Sequence, residues 1–73
     1  MSKTMYCVFQ EHIEKNAMPW TKVTLLGLFS DEATATQHYE KMKKEREYYH
    51  SREEDHIYMT SFETEVPIEH DLN

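Results

Sequence analysis

The feature that most constrains this fold is a junction at which an apolar run stops and a charged run with helical periodicity begins. The junction reads Leu25-Leu26-Gly27-Leu28-Phe29-Ser30-Asp31-Glu32-Ala33. Ser30 is predicted to be the helix N-cap, because its hydroxyl can accept a hydrogen bond from a backbone N–H that has no partner inside the helix. Asp31 and Glu32 then place negative charge at the positive end of the helix dipole. We therefore predict a hairpin before this corner, and one long helix and a returning strand after it.

Two segments before the corner have the composition of β-strands. Residues 4–10, extendable to His12, and residues 21–29 are rich in β-branched and aromatic residues. The first segment carries apolar side chains on both of its faces, as expected of a strand with neighbours on both edges. We therefore place it at the centre of the sheet.

The segment from Ile13 to Trp20 is predicted to be the loop of this hairpin, because it is polar at its start and Pro19 cannot donate to a strand ladder. Such a loop exceeds the roughly two to five residues that a hairpin needs, and long ordered loops are often functional. Met18 is predicted to be exposed at a contact surface. Trp20 has two interpretations, either as a cap over the core or as an exposed anchor for a partner.

After the corner, apolar side chains recur at alternating spacings of four and three residues, which is the pattern of an amphipathic helix. The helix is predicted from Asp31 to about Ser51, with its stripe facing the sheet. The stripe consists of Ala35, Tyr39, Met42, Arg46 and Tyr49.

The remainder of the chain is predicted to return to the sheet. A polar linker, residues 51–55, leads to a third strand, His56–Val66, which Pro67 closes. We therefore divide the chain into a single domain of residues 1–66 and a short acidic C-terminal tail of residues 67–73.

These elements make a ββαβ chain of the α+β class. A helix that joins strand two to strand three makes a right-handed crossover, and the two strands that it joins are parallel with another strand between them. The predicted sheet therefore has three strands in the order 2-1-3, antiparallel between neighbours and packed on one long helix. One helix covers one side of such a sheet and leaves the other side for a partner. The residues predicted at that dimer interface are Tyr6, Val8, Leu26, Leu28 and Tyr58.

The composition points to a small domain that needs a partner. A chain of 73 residues buries only about 60% of the surface that its unfolded form exposes. Cys7 is the single cysteine, so that no disulfide can form within the chain, and we predict a homodimer as the source of additional stability.

The charge and the hydropathy pattern exclude other classes of partner. Fourteen acidic residues against eight basic ones give a net charge of −6, which opposes direct binding to nucleic acid. No apolar run reaches the roughly 18 residues of a membrane span, and the N-terminus has no signal-peptide pattern. The sequence therefore predicts a cytoplasmic protein with no membrane contact.

The candidate chemical groups do not form a catalytic or metal-binding motif. Cys7 lies in the middle of a predicted strand with no oxyanion donor nearby, so we interpret it as a small buried hydrophobic residue. The five histidines are never three or four residues apart, the spacing that places two metal ligands on one helix face. The basic residues around Lys43 are interleaved with Glu40, Glu45 and Glu47, which indicates a solvated, salt-paired face. We therefore predict no enzymatic activity, no metal and no cofactor.

A short motif at the corner carries a family resemblance. Gly27-Leu28-Phe29-Ser30-Asp31-Glu32-Ala33, followed by the late strand with Ile57-Tyr58, resembles a loose group of small phage and bacterial proteins built as hairpin, helix and strand. The chain departs from that group in its Met18-Pro19-Trp20 loop and in lacking a glycine between the helix and the last strand. The resemblance implies an accessory protein that contacts a host protein, and it implies no catalytic residues.

Two functional hypotheses follow. The first is a non-enzymatic protein-binding module, of the kind that inhibits or regulates a host factor such as a defence system, in the manner of an anti-CRISPR or another anti-defence protein. Its predicted partner contacts are Met18, Trp20, Glu53, Glu54 and Asp55. The alternative is a dimer that sequesters a small molecule or nucleotide in a cleft lined by Tyr6, Tyr58 and the basic end of the helix.

Overall fold

A computed structural model describes residues 2–65 of the chain. The predicted strand end at Val66, the closing Pro67 and the predicted tail of residues 67–73 lie outside the described residues. Within the described part, the elements in chain order are β1 (Ser2–Glu14), β2 (Trp20–Phe29), α1 (Glu32–Arg46), β3 (Tyr48–Tyr49) and β4 (Glu53–Glu65).

The described strands form one sheet in the order β2-β1-β4-β3, antiparallel between neighbours. The chain is an α+β domain with its first strand between the second and the last long strand, but the predicted three-stranded sheet in the order 2-1-3 is wrong. The fourth strand is β3, which pairs with Asp55 and Glu54 at the start of β4.

Because Tyr49 continues the helical apolar stripe, the sequence predicts a helix over the residues of β3, and this prediction is wrong. The helix ends at Arg46 instead, and Glu47 is extended with φ −68° and ψ 135°. His50 N–H donates to the Glu53 carbonyl over 3.0 Å, which closes a tight turn into β4. The last strand therefore starts at Glu53, before the predicted His56.

The connection between β1 and β2 is shorter than predicted. Both strands extend into the segment assigned to the loop, so that Glu14 pairs with Trp20 and residues 15–19 make the connection. The Lys15 backbone N–H donates to the Arg52 carbonyl over 2.8 Å, and the Asn16 side chain accepts from the Met18 N–H over 3.1 Å. This length is ordinary for a hairpin, and it removes loop length as a signal of function.

A β-bulge in β2 decides which of its leucines face the helix. Val8 pairs with Gly27 while Phe9 pairs with Leu25, so that Leu26 has no partner on β1. The extra residue reverses the alternation of the strand. As a result, Leu26 points to the side of the sheet on which α1 packs, and Leu28 points to the opposite side.

Gly27, next to the bulge, lies close to two aromatic rings. A Cβ at Gly27 would lie 2.6 Å from the Phe29 ring and 3.2 Å from Cδ2 of His38, both closer than ordinary van der Waals contact. The His38 Nε2–H donates to the carbonyl of Leu26 over 3.0 Å, which ties the bulge to the helix.

The core lies between α1 and the centre of the sheet, and it is small. In residues 2–65 the buried hydrophobic side chains are Val8, Ala35, Met42 and Ile57. The partly buried residues packed against them are Leu26, Phe29, Tyr39 and Met59. A helix of 15 residues is about 22 Å long, whereas a strand of 13 residues extends over about 43 Å. The helix therefore covers about half of one side of the sheet.

The start of α1 differs from the prediction by one residue. Asp31, not Ser30, is the N-cap: its backbone is extended, and its Oδ2 accepts hydrogen bonds from the Thr34 N–H over 2.8 Å and from the Thr34 hydroxyl over 2.7 Å. These two bonds hold the pKa of Asp31 below its ordinary value of 3.8. A carboxylate accepts both bonds at the positive end of the helix, which a serine hydroxyl at Ser30 does not do here.

We expect Asp31→Ala to lower the melting temperature by a few degrees, and Asp31→Asn to retain most of the stability because asparagine is also a good N-cap. A group whose pKa is lowered on folding stabilises the fold above its unfolded pKa, and that contribution is lost as the pH falls through the folded pKa. The advantage of wild type over Asp31→Ala should therefore shrink below about pH 4. Thermal unfolding at pH 7 and pH 3 measures this. Ser30→Ala is the control, and a larger loss in that variant would contradict the assignment of the cap.

Within residues 2–65, α1 is too short and too polar to cross a membrane.

Candidate functional site

The side of the sheet opposite α1 carries a largely apolar surface, in which Thr60 lies between Tyr58 and Phe62 on β4. Val23 is 62% exposed, Leu25 60% and Leu28 52%, and these aliphatic side chains lie together on β2. On β4, Tyr58 stacks on Phe9 with ring centroids 5.4 Å apart. We call this surface the open face and define it by Met5, Cys7, Phe9, Val23, Leu25, Leu28, Tyr58 and Phe62.

Charged side chains on this side of the sheet lie at its ends. Strand alternation and register place Lys3 at one end, and Glu11, Glu54 and His56 at the other. Burial, with the nearby Glu11 carboxylate, raises the pKa of Tyr58 above its ordinary value of 10.0, so that its hydroxyl is neutral at pH 7. The open face therefore has an apolar centre and a charged rim, which is the anatomy of a protein interface.

The open face contains some of the residues predicted for a dimer interface and not others. Leu28 and Tyr58 lie on it. Val8 is 0% exposed and lies in the core, Leu26 packs against that core, and Tyr6 lies on the same side of β1 as Val8. The placement of Tyr6, Val8 and Leu26 on the uncovered side is wrong, because α1 covers that side of β1 and the bulge turns Leu26 towards the helix.

The predicted small-molecule cleft depended on Tyr6 and Tyr58 lying together. In the structure they project from opposite sides of the sheet, since Tyr6 is opposite Ser61 in the register and Ser61 and Tyr58 alternate. A single chain therefore does not bring these two rings into one cleft.

A polar cluster occupies the other side of the sheet, beyond the end of α1. In the register, His12 is opposite Asp55 and Glu14 is opposite Glu53. Residues two apart on a strand share a face, and residues directly opposite each other are neighbours on that face. These four side chains therefore converge, together with Gln10, and we call the five the hairpin-end cluster.

Hydrogen bonds organise the hairpin-end cluster around His12. Its Nδ1 lies 2.7 Å from Asp55 Oδ1, and its Nε2 lies 3.0 Å from Glu14 Oε2. Gln10 Nε2 donates to the same Asp55 oxygen over 2.9 Å. Asp55, and after it Glu14, raise the pKa of His12 above its ordinary value of 6.5, because a protonated ring donates to both carboxylates.

The Asp55 carboxyl is held in its ionised form. Burial on its own raises the pKa of this group, but the hydrogen bonds from Gln10 and His12 together outweigh burial and lower the pKa below 3.8. The cluster therefore contains an oriented imidazole supported by an ionised carboxylate.

An oriented imidazole can act as a general base, but it then needs a nucleophile beside it. Cys7 lies on the open face, whereas His12 lies on the helix side of the same strand. The two residues therefore do not form a nucleophile and base pair.

The residues predicted to contact a partner lie at one end of the sheet. Met18 is 81% exposed at the hairpin tip, and Trp20 is 49% exposed with its ring centroid 5.3 Å from that of His12. Trp20 therefore flanks the hairpin-end cluster and is not a member of the buried core.

The three acidic residues of the predicted partner surface are divided between the two sides of the sheet. Glu53 and Asp55 belong to the hairpin-end cluster. Glu54 lies on the opposite side, where it pairs with Lys15 and lies 2.8 Å from His56 Nε2. The Lys15 bond, followed by the His56 bond, lowers the pKa of Glu54 below 4.5.

The ligand spacing that identifies a metal site on a helix does not apply to the hairpin-end cluster, because its residues lie on two strands. A His-x-Glu pair at His12 and Glu14, inside a strand, was the available sign. Its partners on β4 are about forty residues away in the chain, and only the strand register identifies them.

The fold and these two surfaces define a small α+β domain in which one helix covers half of one side of an antiparallel sheet. Comparison of the chain with known protein families, curated proteins and solved structures finds no match.

Proposed function

We propose that this chain is a non-enzymatic protein-binding module that functions as a homodimer joined through its open face. The observation that supports the proposal is the contrast between the two sides of the sheet. The helix side buries four hydrophobic side chains, whereas the open face leaves Val23, Leu25 and Leu28 more than half exposed. Apolar surface of this extent is favourable to bury and costly to leave in water.

A second copy of the chain is the partner that fits the open face best, because the domain needs this face to be covered in order to be stable. A single core in a domain of this size rarely supplies more than about 3–5 kcal/mol. The chain has one cysteine, so that no disulfide within the chain supplements that core. Another copy is the partner that is present wherever the chain is made.

The open face is also complementary to itself. Its aliphatic side chains lie on β2 and its exposed aromatic side chains, Tyr58 and Phe62, lie on β4, with β1 between them. A two-fold axis parallel to β1 lays the aliphatic strip of one copy on the aromatic strip of the other. This is the isologous arrangement that closes a dimer.

The homodimer leaves the hairpin end free for a different protein. Met18 and Trp20 are exposed there, and Met and Trp are among the residues enriched in protein interfaces. With the acidic side chains of Glu53, Glu54 and Asp55 beside them, they suit a partner with a basic surface. We assign to this end the role of inhibitor or regulator of a host factor in the cytoplasm, as the phage-type resemblance implies.

Sedimentation equilibrium of the wild-type chain at micromolar concentration tests the dimer. We expect a mass of twice the 8.8 kDa chain. Cys7 supplies a second measurement, because it lies in the middle of the open face and its alkylation by a thiol reagent should slow as the protein concentration rises into the dimer range. A monomer whose Cys7 reacts at the same rate at all concentrations would contradict the proposal.

A further inference from the structure

We propose that His12, Glu14 and Glu53 form a binding site for one divalent transition-metal ion of the Zn²⁺ type. The site lies in the hairpin-end cluster, on the helix side of the sheet. It is therefore on the opposite side from the open face, and it is independent of the proposed dimer.

The strand geometry brings three metal-ligating side chains to one point. His12 and Glu14 project from the same face of β1, and Glu53 is directly opposite Glu14 on β4. One ligand atom from each of the three side chains lies within 4.8 Å of the other two. Ligand atoms that share one tetrahedral zinc ion at about 2.0–2.2 Å lie roughly 3.3–3.6 Å apart, about 1 Å closer than that limit. Small side-chain rotations are therefore sufficient to close the site.

Asp55 holds the histidine in the orientation that a metal requires. With Nδ1–H donated to Asp55 over 2.7 Å, the ring presents Nε2 towards Glu14. Histidines that bind metals commonly donate their other ring N–H to a carboxylate, which fixes the tautomer and the ring orientation. Gln10 in turn donates to Asp55 over 2.9 Å. Asp55 is thus a positioning residue behind the metal ligand.

The charges of the cluster also favour a cation. Glu14 and Glu53 are directly opposite in the sheet, where like charges destabilise pairing. Of the basic side chains near the cluster, Lys15 pairs with Glu54 and Arg46 reaches the Gln10 amide oxygen over 3.5 Å, while Lys22 is opposite His12 on β2 and not opposite the two glutamates. A divalent ion between the two glutamates would replace their repulsion with attraction.

The donor set selects the kind of metal. One imidazole nitrogen and two carboxylate oxygens suit Zn²⁺ and its neighbours among the divalent transition metals. Mg²⁺ and Ca²⁺ prefer oxygen donors and bind imidazole poorly. Three protein ligands also leave a coordination position for water, as in zinc sites that are not closed.

Isothermal titration calorimetry of the full chain with ZnCl₂ tests the site, with MgCl₂ as the comparison. We expect one Zn²⁺ ion per chain and no measurable binding of Mg²⁺. Glu53→Gln should weaken Zn²⁺ binding at least tenfold. Asp55→Asn should weaken it about 10- to 100-fold, the usual effect of losing a carboxylate behind a metal-binding histidine.

Glu63→Gln is the matched control, since it makes the same change on the same strand at an exposed position outside the cluster. Circular dichroism of each variant verifies the fold, and Glu53→Gln should fold well because it removes a like-charge pair. Equal Zn²⁺ affinity in wild type and Glu53→Gln would overturn the proposal and would direct attention to His50 or His56. Equal losses in Glu53→Gln and Glu63→Gln, Mg²⁺ binding as tight as Zn²⁺ binding, or no stoichiometric binding would also overturn it.

Discussion

Leu26→Glu is expected to unfold the domain, whereas Leu28→Glu, the same change two residues later, is expected to leave the fold intact. Leu26 packs against the core formed by Val8, Met42 and Ile57. Removing a fully buried leucine costs about 2–5 kcal/mol; Leu26 is partly buried, so its truncation belongs at the lower end of that range, and an unpaired carboxylate against the core adds to the cost. A domain of this size has a total stability of roughly the same magnitude. Leu28 is 52% exposed on the open face, so that a carboxylate there remains in water in the single chain.

Circular dichroism with urea unfolding distinguishes the two variants. Leu26→Glu should show no cooperative transition at 25 °C, while Leu28→Glu should unfold cooperatively at a lower urea midpoint, because the contribution from association is reduced. In a regular strand without a bulge, Leu26 and Leu28 would face the same side of the sheet, and the two variants would behave alike. Equal behaviour of the two variants would therefore mean that the bulge at Leu26 is absent from the protein in solution.

Leu25→Glu is expected to convert the dimer into a monomer. Leu25 is 60% exposed in the aliphatic strip that β2 contributes to the open face, and in a symmetric dimer the substitution introduces two carboxylates into one apolar interface. Unfavourable charge in an interface costs several kcal/mol, which corresponds to a dissociation constant raised by about a hundredfold or more. Sedimentation velocity over a range of concentrations measures this change.

Thr24→Glu is the matched control for Leu25→Glu. It adds the same charge one residue earlier in β2, where the exposed side chain points to the helix side of the sheet. We expect Thr24→Glu to remain a dimer. Dissociation of both variants would indicate a general effect of net charge on a chain that already carries −6, and a dimeric Leu25→Glu would place the interface elsewhere.

At the corner between the second strand and the helix, the types of neighbouring residues predict the start of the helix to within one residue. A polar residue followed by acidic residues marked the helix start to within one position, because capping and dipole effects act over a single turn. The choice between Ser30 and Asp31 depended on which side chain reached the Thr34 N–H. That choice requires the backbone conformation of the cap, which residue types alone do not determine.

The end of the helix is not predicted correctly by the periodicity of apolar residues. Tyr49 satisfies the helical periodicity, yet Tyr48–Tyr49 is a strand because Glu54 and Asp55 of β4 offer a free backbone edge to pair with. Tyrosine has a modest helix propensity and a high strand propensity, so that tertiary pairing decides between the two states.

The surfaces of the sheet also depend partly on the sequence pattern and partly on the tertiary structure. Both sides of β1 carry apolar residues. This pattern indicates that both sides of the sheet are covered, but it does not indicate which side lies under the helix. The helix covers Val8 and leaves Phe9 on the open face, and the bulge separates Leu26 from Leu28. For this reason the predicted dimer surface included residues from both sides of the sheet.

The sequence by itself determined the elements that depend on short-range physics: a hairpin with a central first strand, a helix that starts at the corner near Asp31, and a returning strand. Only the tertiary structure decided the strand β3, the side of the sheet that the helix covers, and the convergence of His12 and Glu14 with Glu53. The physical reason is that each of these depends on strand register. Register pairs residues about forty positions apart in the chain, and a bulge of one residue is sufficient to exchange the two faces of a strand.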